Sequence, residues 1–242
     1  MARNRRPAAG FCQQHERAIA AIDDGAGERP GYKSPIPDDR RHESRSSSEP
    51  MYDVAIIGGG LAGLTLALQV NQQAPGLSVV VLERNTFPVR AAAHKVGEAT
   101  VEIGAHYLSH TLRLEEYLEK QHLRKFGLRL FFGAGFQDDL SMADELGASS
   151  LLPAISYQLD RGALENDLAA LLVERGVEVR TASIVKKVEI GAEQHALTVF
   201  HNDAEHQLQA RWVVDASARS GVLKRALGLA ESSEHKMCSA WF

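Results

Sequence analysis

Residues Asp53–Val70 read DVAIIGGGLAGLTLALQV, an apolar run that passes through a cluster of glycines into a second apolar stretch at helical spacing. Tyr52–Ile57 reads as a buried strand and Leu61–Gln72 as a helix, with Gly58-x-Gly60-x-x-Gly63 at their junction. The first glycine of such a junction permits a tight turn, and the second lets a pyrophosphate approach the backbone. The third lets helix and strand pack closely. Amides at the helix N-terminus then face an anionic ligand, helped by the macrodipole. Pro75 and Gly76 mark the next turn, before a second strand at Leu77–Glu83. Strand, helix and strand in this short span make a βαβ unit, which implies parallel strands and a right-handed crossover.

Glu83 closes the second strand 25 residues after Gly58. That is near the spacing of a carboxylate that accepts hydrogen bonds from ribose hydroxyls. An acid there also disfavours a 2′-phosphate, because like charges repel. The stretch therefore reads as a site for FAD or NAD, with Gly58, Gly59, Gly60, Ala62, Gly63 and Glu83 around the dinucleotide. Chemistry alone does not separate the two ligands.

Downstream, Val101–His122 reads as one long amphipathic helix with Ile103, Tyr107, Leu108, Leu112, Leu114 and Leu118 on its apolar side. Leu128–Phe132 reads as a strand, and residues 133–150 as a loop with an acidic patch. Asp160 is a candidate N-cap for a helix through Glu174, with Leu164, Leu168, Leu171 and Leu172 as its buried stripe and Gly176 as its end. Val177–Thr181 is a further strand. Ile184–Ile190, Ala196–His201 and Gln207–Val214 alternate partly and are separated by turn residues, so they predict an antiparallel meander. The expected fold class is α/β, a Rossmann-like parallel sheet with an added antiparallel β-meander.

Residues 1–50 differ in kind. Pro30, Pro35, Pro37 and Pro50 sit among Arg, Asp and Ser, so this segment is expected to be a disordered extension and residues 51–242 the folded domain. The 242-residue chain carries a net charge of −4 and gives no electrostatic reason to expect nucleic acid or an anionic membrane. It has no apolar run of about 18 residues that could span a bilayer. Cys12 and Cys238 make neither a disulfide framework nor a metal site, and a cytoplasmic setting is the simplest expectation. His106 and His110 share a helix face but lack a third ligand, so they read as a surface pair. The acids from Asp138 to Glu145 lack the glycine and spacing of a calcium loop.

The stretch HKVGEATVEIGAHYL, His94 to Leu108, together with the glycine turn, resembles the flavin-dependent halogenases and the wider group of FAD monooxygenases of the hydroxybenzoate hydroxylase type. The resemblance extends over Glu83-Arg84-Asn85-Thr86-Phe87-Pro88, over Tyr157-Gln158-Leu159-Asp160-Arg161 and over Val213–Leu229. It covers nearly all of residues 51–242 and none of residues 1–50. It implies FAD as cofactor, with the glycine turn at the pyrophosphate and Glu83 and Arg84 on the adenosine side. Gly97 and Glu98 then lie near the flavin, and Arg161 and Asp215 are further cofactor-side residues. Lys125 stands where the halogenases carry the lysine that handles the oxidised halogen. Read without the resemblance, Lys125 is a solvated cation in a basic run, and Glu98 is an acid at a helix N-terminus.

One departure stands out. Ala218 occupies a place where the family usually has glycine, and a positive φ there would cost about 1 kcal/mol. The resemblance also implies a small aromatic substrate, reduced FAD from a separate flavin reductase, and residues 126–156 as the start of a substrate-side insertion. The family's WxWxIP signature and halide site are not found in this sequence. The expectation is thus a C-terminally truncated flavoenzyme whose substrate portion is absent. The alternatives are an FAD-dependent reductase of the geranylgeranyl-reductase type, for which Lys125 would be irrelevant, and a non-catalytic nucleotide-binding remnant.

Overall fold

A computed structural model describes residues 51–92, 95, 97–132, 140–232 and 234. The expected disorder of residues 1–50 and both cysteines fall outside the described residues.

In chain order, β1 (Met51–Ile57) leads through the glycine turn into α1 (Leu61–Gln73), and β2 (Val79–Leu82) follows. Then come α2 (Glu102–His106), a π-helical turn (Tyr107–Thr111) and α3 (Glu115–Gln121). The short strands β3 (Leu123–Arg124), β4 (Arg129–Phe132), β5 (Asp144–Gly147) and β6 (Tyr157–Gln158) precede α4 (Arg161–Glu174). The chain continues with β7 (Glu178–Arg180), β8 (Ile184–Glu189), β9 (His195–His201), β10 (Ala204–Asp215) and α5 (Val222–Ala226).

The main sheet has the order β7-β2-β1-β10-β9-β8. Strands β7, β2, β1 and β10 run parallel, while β9 and β8 join antiparallel, so the βαβ unit and the meander stand as expected. The long strand β10 belongs to both halves: Ala204–Ala210 pairs with β9 and Gln209–Asp215 with β1. Asn202 and Asp203, both at positive φ, join β9 to β10 in a two-residue turn whose twist matches the strands.

Every residue of β2 is buried, because α1 and α4 cover one face and the meander closes over the other. That explains a continuous VVVL run instead of an alternating one. On the helix side Val54, Ile56, Val79 and Val81 meet Leu64, Leu68, Leu164, Leu168 and Leu172. On the other side Ala55, Ile57, Val80 and Leu82 meet Leu197, Val199 and Leu208. Each of these large aliphatic side chains contributes about 2 kcal/mol of transfer free energy when fully buried. Asp160 caps α4 as expected, accepting the Ala163 amide at 2.9 Å.

Two sequence expectations fail. The long helix over Val101–His122 is broken. Leu112 N–H donates to Tyr107 O across the wider π turn, and Arg113 follows at φ +58. The wider turn changes the phase of the helical face, so Leu108, Leu112 and Leu118 are buried while Ile103 is 79% exposed. The freed Leu112 carbonyl accepts Gln72 Nε2 at 3.0 Å. The second failure is the acidic stretch read as loop. It contains β5, which pairs with β4 and sets Arg129 Nη1 2.8 Å from Glu145. Strand identity here comes from a distant partner and not from local pattern.

Candidate cofactor site

The turn after β1 sits at the carboxyl ends of three adjacent strands, since Ile57 is level with Leu82 on one side and Asp215 on the other. Gly58 N–H donates to Leu82 O at 2.8 Å, and Ala216 N–H donates to Ile57 O at 2.8 Å. In open parallel sheets this end of the strands is where ligands bind. Gly58 has φ +110, and a Cβ there would lie 2.6 Å from Ala216 O. At Gly63 a Cβ would lie 1.9 Å from Gly58 O, so helix and strand meet with no room for a side chain. Gly60 differs: nothing lies within 4 Å of a Cβ placed there. Two glycines are thus closed by the protein's own backbone, and the middle one faces open space. Gly60 is also the N-cap of α1 and supplies no side-chain acceptor, which leaves the first helical amides to an anionic ligand.

Glu83 is 8% exposed and turns back onto the glycines. Its Oε2 accepts Gly59 N–H at 2.6 Å, and its Oε1 accepts Asn85 N–H and Nδ2 at 2.8 and 2.7 Å. A carboxylate offers about four lone-pair sites, so acceptor capacity remains for a ribose hydroxyl. Sequence reasoning missed Asn85, although a side-chain amide two residues beyond a strand-ending acid was a usable signal. Arg84 is exposed and reaches Ser220 Oγ at 3.4 Å, which sets it over the loop that follows β10.

Asp215 anchors that loop. It accepts Ser217 Oγ at 2.5 Å, Ser217 N–H at 3.0 Å and Leu223 N–H at 2.7 Å. Burial pushes its carboxyl up, but the bonds from the Ser217 hydroxyl and amide and from the Leu223 amide outweigh it and hold the group below the usual carboxylate range. Ala218 lies at φ +51, so the strain expected at this departure from glycine is present.

A second group of residues gathers around Gly97. Ala99 bridges to Gln158, Thr100 N–H donates to Tyr157 O at 2.8 Å, and Leu159 N–H donates to Glu98 O at 2.7 Å. This places Gly97 and Glu98 beside the start of α4. A Cβ on Gly97, which has φ +88, would lie 3.9 Å from Arg161 Nη1. Arg161 Nη2 donates to Glu165 Oε1 at 2.6 Å, and Lys95 Nζ pairs with the other oxygen of the same buried carboxylate. Sequence reasoning passed over Glu165 and Lys95, although Arg161 and Glu165 stand at the i, i+4 spacing of a helical ion pair. Lys95 and Arg161 thus both pair with the buried Glu165 carboxylate. Among the described residues Glu98 Oε1 is buried without a hydrogen-bond partner.

Lys125 meets the far end of the 97–100 segment, at Thr100. The β3–β6 pair aligns Leu123 and Arg124 with Gln158 and Tyr157. Lys125 N–H then donates to Ser156 O at 2.8 Å, and its Nζ donates to Thr100 O at 2.7 Å. The 97–100 segment thus meets Arg161 at Gly97 and Lys125 at Thr100, two residues far from it in sequence. His106 and His110 are exposed with ring centroids 4.6 Å apart, and no group of three metal-ligating side chains occurs among the described residues. No helix among them is long and apolar enough to cross a membrane.

Turn, acid and sheet order define a dinucleotide-binding α/β fold. The open face of Gly60, the unpaired Glu98 Oε1 and the Arg161 guanidinium beside Gly97 fit such a cofactor. The chain belongs to the family whose model is described as lycopene cyclase protein, which matches residues 53–233. It is 31% identical over 134 residues to the flavin-dependent halogenase chlA of Dictyostelium discoideum, covering 52% of this chain and 22% of that protein. It is 30% identical over 186 residues to the rifampicin monooxygenase of Streptomyces venezuelae, covering 76% of this chain and 35% of that protein. The solved flavin-dependent brominase Bmp2 matches with a TM-score of 0.56 and 25% identity, over 72% of this chain and 40% of that one. The flavin-dependent halogenase CmlS shares the fold at a TM-score of 0.58 and 23% identity, over 76% and 32% of the two chains. The chain thus spans less than half the length of each of these proteins.

Proposed function

We propose that this chain is the FAD-holding part of a flavin-dependent halogenase or monooxygenase that acts on an aromatic or similar small molecule. The observation that carries the reading is the 2.7 Å contact of Lys125 Nζ with Thr100 O, which ties the ammonium to the segment that begins at Gly97–Glu98. When bound, reduced FAD supplies the electrons that activate oxygen. The α1 N-terminal amides and the open face of Gly60 take the pyrophosphate, and Glu83 accepts from the ribose. Gly97 leaves room for the ring, while Arg161 and Lys95 supply positive charge on that side. Lys125 holds a proton at Nζ and orients an oxidised halogen toward the substrate. Residues 126–156 begin the substrate side, and a separate reductase supplies the reduced flavin.

The test titrates the full chain with FAD and follows flavin fluorescence. It then adds a flavin reductase, oxygen, bromide and a phenol, and analyses products by mass. Saturable binding with a brominated product that Lys125→Ala abolishes upholds the halogenase reading. A hydroxylated product that survives Lys125→Ala selects the monooxygenase. Binding without turnover leaves a nucleotide-binding domain, and no saturable FAD binding overturns the proposal. The family description favours a second reading, FAD-assisted cyclisation of an apolar polyene. Such turnover would consume no oxygen and would not depend on Lys125.

A further inference from the structure

We propose that Thr100 is a positioning residue for Lys125: its side chain fixes the backbone carbonyl that holds the lysine ammonium. The inference rests on the reading of Lys125 given above. A lysine ammonium rides on a flexible four-carbon stem and costs rotamer entropy to hold in one place. Lys125 is tethered at both ends of that stem, by its own N–H on Ser156 O and by Nζ on Thr100 O at 2.7 Å. The acceptor is itself immobilised. Thr100 is 9% exposed. Its Oγ1 accepts Tyr157 N–H at 2.7 Å and donates to Tyr157 O at 3.1 Å, while its N–H also donates to Tyr157 O. The hydroxyl thus takes the place of a strand carbonyl where the regular ladder stops.

Tyr157 ties this arrangement to the core. It is 1% exposed, and its hydroxyl donates to Glu119 Oε1 at 2.7 Å. Arg124 Nε reaches the same carboxylate oxygen at 2.9 Å, so the residue before Lys125 is fixed through the same tyrosine. A solvated surface lysine needs none of these contacts. Removing the Thr100 hydroxyl leaves Tyr157 N–H without its acceptor and lets the Thr100 carbonyl, and with it the ammonium, drift.

The test is competitive acetylation of the full chain across a pH series, with the rate at each lysine read by mass spectrometry. In the wild type Lys125 should label about tenfold more slowly than the exposed Lys224, the factor that one hydrogen bond from a charged group is worth. Thr100→Val should bring Lys125 close to Lys224 and leave Lys120 and Lys187 unmoved, and Thr100→Ser should keep the slow rate. Equal rates at Lys125 and Lys224 in the wild type overturn the proposal, as does a Lys125 rate that Thr100→Val leaves in place. If Thr100→Val does not fold, Thr100→Ala, which also lacks the hydroxyl, decides in its place by the same two rates. A protected Lys125 combined with bromination that survives Lys125→Ala upholds this contact and refutes only the catalytic reading.

Discussion

The glycine turn and the β4–β5 hairpin are built in opposite ways. Around the turn, backbone meets backbone so closely that a Cβ on Gly63 would land 1.9 Å from Gly58 O, and strands β1 and β2 are buried on both faces. In the hairpin every residue of both strands is exposed, including Leu130, Phe131, Phe132 and Leu146. A two-stranded ribbon alone is marginal in water. The turn is therefore specified by contacts within the described residues. The hairpin is held by its own ladder, the Arg129–Glu145 pair and the packing of Arg129 over Phe126. Substitutions should separate the two regions sharply.

The largest effect should come from Gly63→Val. The added side chain has nowhere to go without separating α1 from β1, and overpacking of this kind costs about 3 kcal/mol or more. Urea unfolding should show the loss, together with disappearance of FAD binding. A variant of near wild-type midpoint would mean that helix and strand do not meet as closely as the geometry shows.

Next comes Asp215, the anchor of the loop beside the turn. Its folded pKa is depressed, so its contribution to stability is fully present above the unfolded carboxylate value of about 4 and is lost as pH falls through the folded value. Asp215→Asn should cost about 2 kcal/mol at neutral pH, because amides of Ser217 and Leu223 lose a charged acceptor. It should also flatten the acid limb of Tm against pH relative to wild type. An unchanged acid limb would show that the carboxylate is not what these donors stabilise.

How much of this is legible in the sequence follows the same division. Strand β1, the glycine turn, strand β2 and the meander were readable because each rests on local rules of period, glycine placement and turn chemistry. The break near Arg113 was not, because the apolar spacing runs on through Tyr107–Thr111 with no glycine or proline to mark it. Strand β5 was hidden in an acidic stretch, since its strand character comes from β4. The corner at Gly97 was legible only as separate residues. Lys125 and Thr100 are 25 apart in sequence, and Thr100 and Tyr157 are 57 apart, so pairing across the small β3–β6 sheet was needed to bring them together.

A smaller effect tests the departure at Ala218. Its φ of +51 is one that glycine adopts without penalty, so Ala218→Gly should gain about 1 kcal/mol, less the extra chain entropy of glycine. A rise in Tm of a few degrees, measured with FAD affinity unchanged, would show that the strain is carried by the loop and not used by the site. A lower Tm would mean that the positive φ is relaxed in solution.

The smallest effect belongs to the hairpin, and it sharpens the comparison most. Phe132 is 47% exposed, so Phe132→Ser removes little buried surface and should change stability by less than about 0.5 kcal/mol. Its neighbours on the ladder, Leu130 and Leu146, should behave alike. A loss of about 2 kcal/mol instead would require that this aromatic ring be covered in solution. The hairpin would then belong to the same packed body as the turn, and the contrast drawn between the two would fail at its weaker side.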